Sequence, residues 1–176
     1  MKKFFTAVMA VLVVSVSIQA QASLSASSNL PKSDGVLAAN EYQYNTSVSG
    51  MAIGATLGSD GMLYLSIQAK TAGWVALGVG GRVMNGSRLF IAYDAQPKPV
   101  FTEQKGIGHS HVDAADSVIT AWSVKQADGV TTLELVLPAK VAVVSGNLDL
   151  LFAYSDTTAI TMHHKARGSL SLAVNG

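Results

Sequence analysis

From Asp34 onward the chain is interrupted roughly every ten residues by turn-forming pairs and clusters: Ser49-Gly50, Ser59-Asp60-Gly61, Gly80-Gly81, Asn85-Gly86, Gln96-Pro97-Lys98-Pro99, Asp128-Gly129 and Ser145-Gly146-Asn147. Such spacing leaves room for short strands and little else. Between the turns Leu63, Leu65, Ile67 and Ala69 alternate with Met62, Tyr64, Ser66 and Gln68, and Leu133, Leu135 and Leu137 alternate with Thr132, Glu134 and Val136. Successive strand side chains point to opposite faces, so this period of two predicts one buried face and one wet face. Similar runs occupy residues 51–57, 74–79, 89–94, 117–125, 148–154 and 169–174. Only residues 136–144 offer a helical turn, which Pro138 limits. The pattern predicts an all-β, antiparallel β-sandwich, with Asp60-Gly61 and Asp128-Gly129 as its clearest hairpin turns.

The domain has a leader in front of it. Lys2 and Lys3 precede an apolar run from Phe4 to about Ile18, and Ala20-Gln21-Ala22 follows. This is the layout of a secretory signal peptide over residues 1–22, cut before Ser23. The run is shorter than the ~20 residues of a membrane-spanning helix. The expectation is therefore a periplasmic or secreted protein without a transmembrane anchor. Residues 23–33, rich in serine and alanine with one proline and no apolar period, read as a flexible arm, and residues 34–176 as one domain. Loss of Lys2 and Lys3 leaves ten basic residues against eleven acidic ones. That near-neutral balance gives no reason to expect nucleic acid as a partner.

The chain contains no cysteine, which excludes a disulfide, an iron–sulfur cluster, a lipidated cysteine and haem attached through C-x-x-C-H. No nucleophile elbow, Walker loop or paired-carboxylate cleft is present, so a self-contained enzyme is not expected. What stands out is Met84, in a loop between Gly80-Gly81 and Asn85-Gly86, and far downstream His163 and His164. A thioether and an imidazole are the axial ligand pair of a low-spin, electron-transferring haem. Taken alone, Met84 reads equally as a ligand or as core filler, and His163-His164 as solvated turn residues beside Lys165 and Arg167. His109-Ser110-His111 is a second cluster. Its imidazoles share a face in an extended chain, which suits copper or zinc, but a solvated loop or a position that supports a neighbouring site is the plainer reading.

Several of these segments together resemble one family. They are Asp34-Gly35-Val36-Leu37 with Glu41-Tyr42, then Gly73-Trp74-Val75-Ala76-Leu77-Gly78-Val79, then Met84-Asn85-Gly86-Ser87, and last the histidine pair before Arg167-Gly168-Ser169. In this order and separation the chain resembles a DOMON domain over nearly its whole mature length. The resemblance implies an immunoglobulin-like β-sandwich with a ligand pocket at one end. In the haem-bearing branch, to which the cytochrome domain of cellobiose dehydrogenase belongs, a methionine and a histidine ligate haem b. Carried across, Met84 takes the thioether role and His163 the imidazole role, with His164 close behind and Lys165 a remote third. Trp74 and Arg167 join the cofactor-binding set. Ser87-Arg88 departs from the small or acidic residues common after that turn, which puts the pocket's electrostatics in question. The implied protein is a b-type cytochrome that meets redox partner proteins by diffusion or as a subunit of a redox complex. Its alternative is a haem-free module that binds carbohydrate or another small ligand through Trp74, Trp122 and tyrosines.

Overall fold

The computed structural model describes residues 22–175, so the expected signal peptide lies outside the described residues except for Ala22. In chain order the first strands are β1 (Ser23–Ser25), β2 (Tyr44–Val48), β3 (Met51–Leu57), β4 (Met62–Ala69), β5 (Val75–Val79), β6 (Arg88–Tyr93), β7 (Val100–Ile107) and β8 (Ser110–Asp113). They are followed by β9 (Ala121–Ala127), β10 (Val130–Pro138), the single helical turn α1 (Ala139–Ala142), β11 (Val143–Val144), β12 (Asn147–Tyr154) and β13 (Ala166–Asn175). One sheet runs β2-β3-β4-β10-β9 and the other β1-β13-β12-β5-β6-β7-β8, with β11 beside β12. Every pairing is antiparallel except that of β1 with β13. The two sheets pack as the expected sandwich.

Local chemistry sets the hairpins. Ser49-Gly50, Asp128-Gly129 and Ser145-Gly146 each have both residues at positive φ, and each joins a directly paired Val48–Met51, Ala127–Val130 or Val144–Asn147. That is the type I′ two-residue turn, whose twist matches that of the strands it connects. The predicted alternation then fills the core. Leu63, Leu65 and Ile67 of β4 and Leu133, Leu135 and Leu137 of β10 are buried against Val75, Leu77, Val79, Phe90, Leu150 and Phe152 of the facing sheet.

Three expectations need correction. Residues 23–25 are not a flexible arm: Leu24 is fully buried in the core and β1 closes the edge of β13. An isolated leucine in a polar segment gives no period to read, yet a single core contact is enough to tie such a segment down. Strands β7 and β8 replace an expected loop. The polar Thr102-Glu103-Gln104-Lys105 stretch of β7 hides its β pattern, and β8 is an edge strand with no buried residue. Finally, the second face of β10 is not wet. Thr132, Glu134 and Val136 are buried, with residues 34–42 tied over Glu134.

Glu134 is the anchor of that strap. Its carboxylate accepts hydrogen bonds from the Asp34 N–H (3.0 Å), the Gly35 N–H (2.6 Å) and the Tyr42 hydroxyl (2.8 Å). Burial nevertheless pushes the Glu134 carboxyl above the usual carboxylate range, and the same burial, with the carboxylate beside it, raises the Tyr42 phenol. Glu134→Ala leaves three donors without an acceptor and should cost about 3 kcal/mol in urea unfolding. The raised folded-state pKa fixes the sign of the pH dependence. The folded chain holds a proton that the unfolded chain has already released, so the wild type loses stability as pH rises from the ordinary carboxylate range through the raised value. The cost of Glu134→Ala should shrink over the same interval. A cost that is unchanged or grows there refutes the assignment.

Candidate functional site

The outward face of the larger sheet carries a shelf. Register places Arg167, Ala153, Ala76 and Ile91 in one row across β13, β12, β5 and β6, and Ser169, Leu151, Gly78 and Leu89 in the next. These positions alternate with the core-facing residues of the same strands, so the shelf faces away from the smaller sheet. Leu89 and Ile91 are nonetheless 5% and 4% exposed, because loops rise over them. Gly78 matters here: a Cβ would sit 2.8 Å from Leu151 Cδ1 and 2.9 Å from Leu89 Cδ2, so its absence lets those leucines close over the strand. A pocket is present, but its floor is this outward shelf of the larger sheet rather than one end of the sandwich, where it was expected.

One wall is the loop of residues 80–87 held against β7. The Gly86 N–H donates to the Gly106 carbonyl (3.0 Å), the Gly106 N–H to the Ser87 carbonyl (2.9 Å) and the Ser87 N–H to the Met84 carbonyl (3.1 Å). The Ser87 hydroxyl donates to the Val83 carbonyl at 2.6 Å, and the Gly108 N–H donates to Asn85 Oδ1 at 2.8 Å. Gly106 has to be glycine, since a Cβ there would overlap the Met84 carbonyl oxygen. Met84 is therefore positioned from both sides of its loop.

The opposite wall is the segment of residues 155–165, clamped to the strand that starts after Trp74. The Trp74 N–H donates to the Thr157 carbonyl (3.0 Å), the Ser155 N–H to the Trp74 carbonyl (3.0 Å) and the Lys165 N–H to the Tyr154 carbonyl (2.7 Å). The Trp74 indole N–H donates to the Ala159 carbonyl (3.2 Å) and the Thr71 hydroxyl to the Ser155 carbonyl (2.6 Å). The first wall is the β5–β6 connection and the second the β12–β13 connection, so they rise at opposite ends of the adjacent antiparallel strands β5 and β12.

Between them lies a cavity of about 1090 Å³, at the upper end of the range for cofactor sites. Met84, Trp74, Arg82, Arg167, His109, His111, His163 and His164 all line it, together with Leu89, Ile91 and Leu151. All four histidines of the chain therefore reach one cavity. Sequence spacing brought Met84 and the His163-His164 pair into one hypothesis, but it left His109 and His111 as a solvated loop. The β7–β8 hairpin carries them to the rim, with His111 half-buried and His109 exposed. Arg82 escaped notice altogether, because a basic residue beside glycines has no distinguishing pattern.

Within the histidine pair, His163 is exposed and its carbonyl accepts from the Ser155 hydroxyl at 3.3 Å, whereas His164 is half-buried. Burial, then the positive Arg167 and then His163 hold the His164 imidazole below its usual pKa. This favours its neutral form, the form that binds a metal. Lys165 does not line the cavity: its ammonium pairs with Asp156 at 2.7 Å, which raises its pKa. Arg88 is likewise outside, bound to Glu103 and, at 2.8 Å, to Asp116, so it does not set the pocket's charge. Trp122 stacks on Phe101 with ring centroids 4.7 Å apart and lies outside the cavity, and Trp74 is committed to its wall. Of the two tryptophans, Trp74 alone lines the cavity. Among the described residues no group of three or more His, Cys, Asp or Glu side chains converges as a metal site, and no helix is long and apolar enough to cross a membrane.

No family model and no curated protein matches the chain. Solved structures do. The cytochrome b domain of pyranose dehydrogenase from Coprinopsis cinerea is 12% identical with a TM-score of 0.54, over 70% of this chain and 76% of that one. The cytochrome domain of cellobiose dehydrogenase from Myriococcum thermophilum is 13% identical with a TM-score of 0.52, over 75% of this chain and 81% of that one. The fold is similar to that of these two cytochrome domains. At these identities the likeness concerns architecture, and the residues of the cavity have to carry any argument about chemistry.

Those residues fit a b-type haem. The cavity has an apolar floor, a thioether on one wall, imidazoles on the other, and cationic side chains for an acidic edge. Nothing in it would attach the group covalently.

Proposed function

We propose that the protein is an exported electron-transfer domain that holds haem b non-covalently between Met84 and the His163-His164 pair. The single observation that carries this reading is one cavity over an apolar shelf that a loop methionine and all four histidines line. The sequence preference for His163 gives way here to His164, the more buried and more readily neutral of the two. A haem so ligated would supply one-electron redox chemistry, its methionine sulfur favouring the reduced iron. The chain's part is to hold and shield the group. Gly106 and Ser87 fix the Met84 loop, Trp74 fixes the histidine segment, and Leu89, Ile91 and Leu151 keep water from the floor. Export rests on the lysine-led apolar run and Ala20-Gln21-Ala22. Cleavage before Ser23 would leave the new N-terminus at the first residue of β1. Its partners would be proteins carrying their own redox groups.

Protein purified from haem-replete cells, or supplied with hemin, should show a low-spin b-type visible spectrum that sharpens on reduction. A folded, colourless protein that takes up no hemin sinks the reading. Mass spectrometry of the exported chain should find Ser23 at its N-terminus.

A further inference from the structure

The chain has three arginines. Arg88 is neutralised by Glu103 and Asp116 away from the cavity. Arg82 and Arg167 form no ion pair among the described residues, and both line the cavity. Of the eleven acidic residues of the chain none lines it. In a near-neutral protein this is a pronounced segregation: two guanidinium groups and four imidazoles face one space, and no carboxylate of the protein balances them there. Planar guanidinium groups match carboxylates bidentately, so two of them without a protein partner suit an acidic ligand. Arg82 belongs to the Met84 wall and Arg167 to β13 beside the histidine wall. They therefore approach a bound molecule from two sides.

We infer that Arg82 and Arg167 are carboxylate anchors, so that this site selects a flat ligand carrying two acidic groups. The inference rests on the haem reading for the identity of the ligand, since haem b carries two propionates, but not for its charge. With the acidic edge held by the arginines, the ligand's orientation in the plane above the shelf is set independently of any bond to iron. Arg82 and Arg167 are positioning residues in this scheme.

Iron-free protoporphyrin IX and its dimethyl ester separate anchoring from ligation. Both are flat and neither has iron, but only the first has carboxylates. Binding read by quenching of tryptophan fluorescence should favour the acid over the ester by at least about tenfold. Arg82→Gln and Arg167→Gln should each weaken the acid by about tenfold and leave the ester unchanged. Added salt should weaken the acid alone. Both positions are exposed, and unchanged melting temperatures would confirm that the variants fold.

Equal binding of acid and ester, or arginine variants that bind the acid normally, would overturn the anchors. If hemin still gives a low-spin spectrum in that case, the haem reading survives. If the acid binds through the arginines but hemin gives no low-spin spectrum, the anchors stand and the methionine–histidine ligation falls. Failure of wild-type protein to bind either porphyrin removes both.

Discussion

His164→Ala should convert the hemin-loaded protein from a low-spin to a high-spin spectrum, and Met84→Ala should do the same from the other wall. Each removes one proposed haem ligand. Lys165 is paired with Asp156 outside the cavity, while His109 and His111 line the cavity on the hairpin held beside the Met84 loop. Met84→Ala is therefore to be combined with His109→Ala and His111→Ala, to remove the imidazoles that would stand in for the thioether. Hemin affinity should fall on the order of a hundredfold in each variant, which is about 2.7 kcal/mol. His109→Ala and His111→Ala should remain low-spin. The decisive comparison is within the pair. His163 is the exposed member and His164 the half-buried one, so His163→Ala should keep the low-spin spectrum that His164→Ala loses. The reverse result would return the ligand role to His163 and show that the segment turns over when haem binds. Retention of the spectrum in both single variants would mean that the pair does not supply the ligand.

How much of this was legible from the residues depends on what each signal measures. Period-two alternation reports burial against the opposite sheet, so β3, β4, β5, β6, β10 and β12 and the core they bury were readable. The same signal misleads where something other than the facing sheet covers a strand. Glu134 sits at a position that alternation assigns to water, and the strap of residues 34–42 puts it out of solvent. Leu24 fails because an edge strand with one buried residue has no period, and the β7–β8 hairpin because β7 buries only Gln104 and Gly106 and β8 buries no residue. The cavity itself was half legible. Loop context singled out Met84 and the histidine pair, because a thioether among glycines and paired imidazoles before Arg167-Gly168 are unusual. The meeting of His109, His111 and Arg82 with them depends on the order in which strands lie in the sheet. No local pattern in the chain encodes that order.

The glycines of the shelf and walls were visible as punctuation, but their reason was not. Gly106 is the sharpest case, since it lies in a strand, where glycine is ordinarily a weakness. Its value is the space it leaves: a Cβ would overlap the Met84 carbonyl oxygen, lie 2.7 Å from the Met84 carbonyl carbon and lie 3.0 Å from Met84 Cγ. Backbone hydrogen bonds from Gly86 and to Ser87 pin the loop at this contact, so it cannot slide aside without breaking them. Gly106→Val should therefore lift the wall and carry the thioether away, giving the high-spin spectrum of Met84→Ala although no ligand has been changed. The stability cost should be about 1–3 kcal/mol, the range for overpacking, and the β-sheet circular dichroism should persist. Gly129→Ala provides the contrast. Gly129 lies in the β9–β10 turn with φ 72° and nothing within 4 Å of its Cβ position, so the substitution should cost about 1 kcal/mol through backbone strain alone and leave the spectrum low-spin. If Gly106→Val binds hemin with an unaltered low-spin spectrum, the loop is not held where β7 places it. Met84 would then have to reach any iron by a route that these contacts do not define.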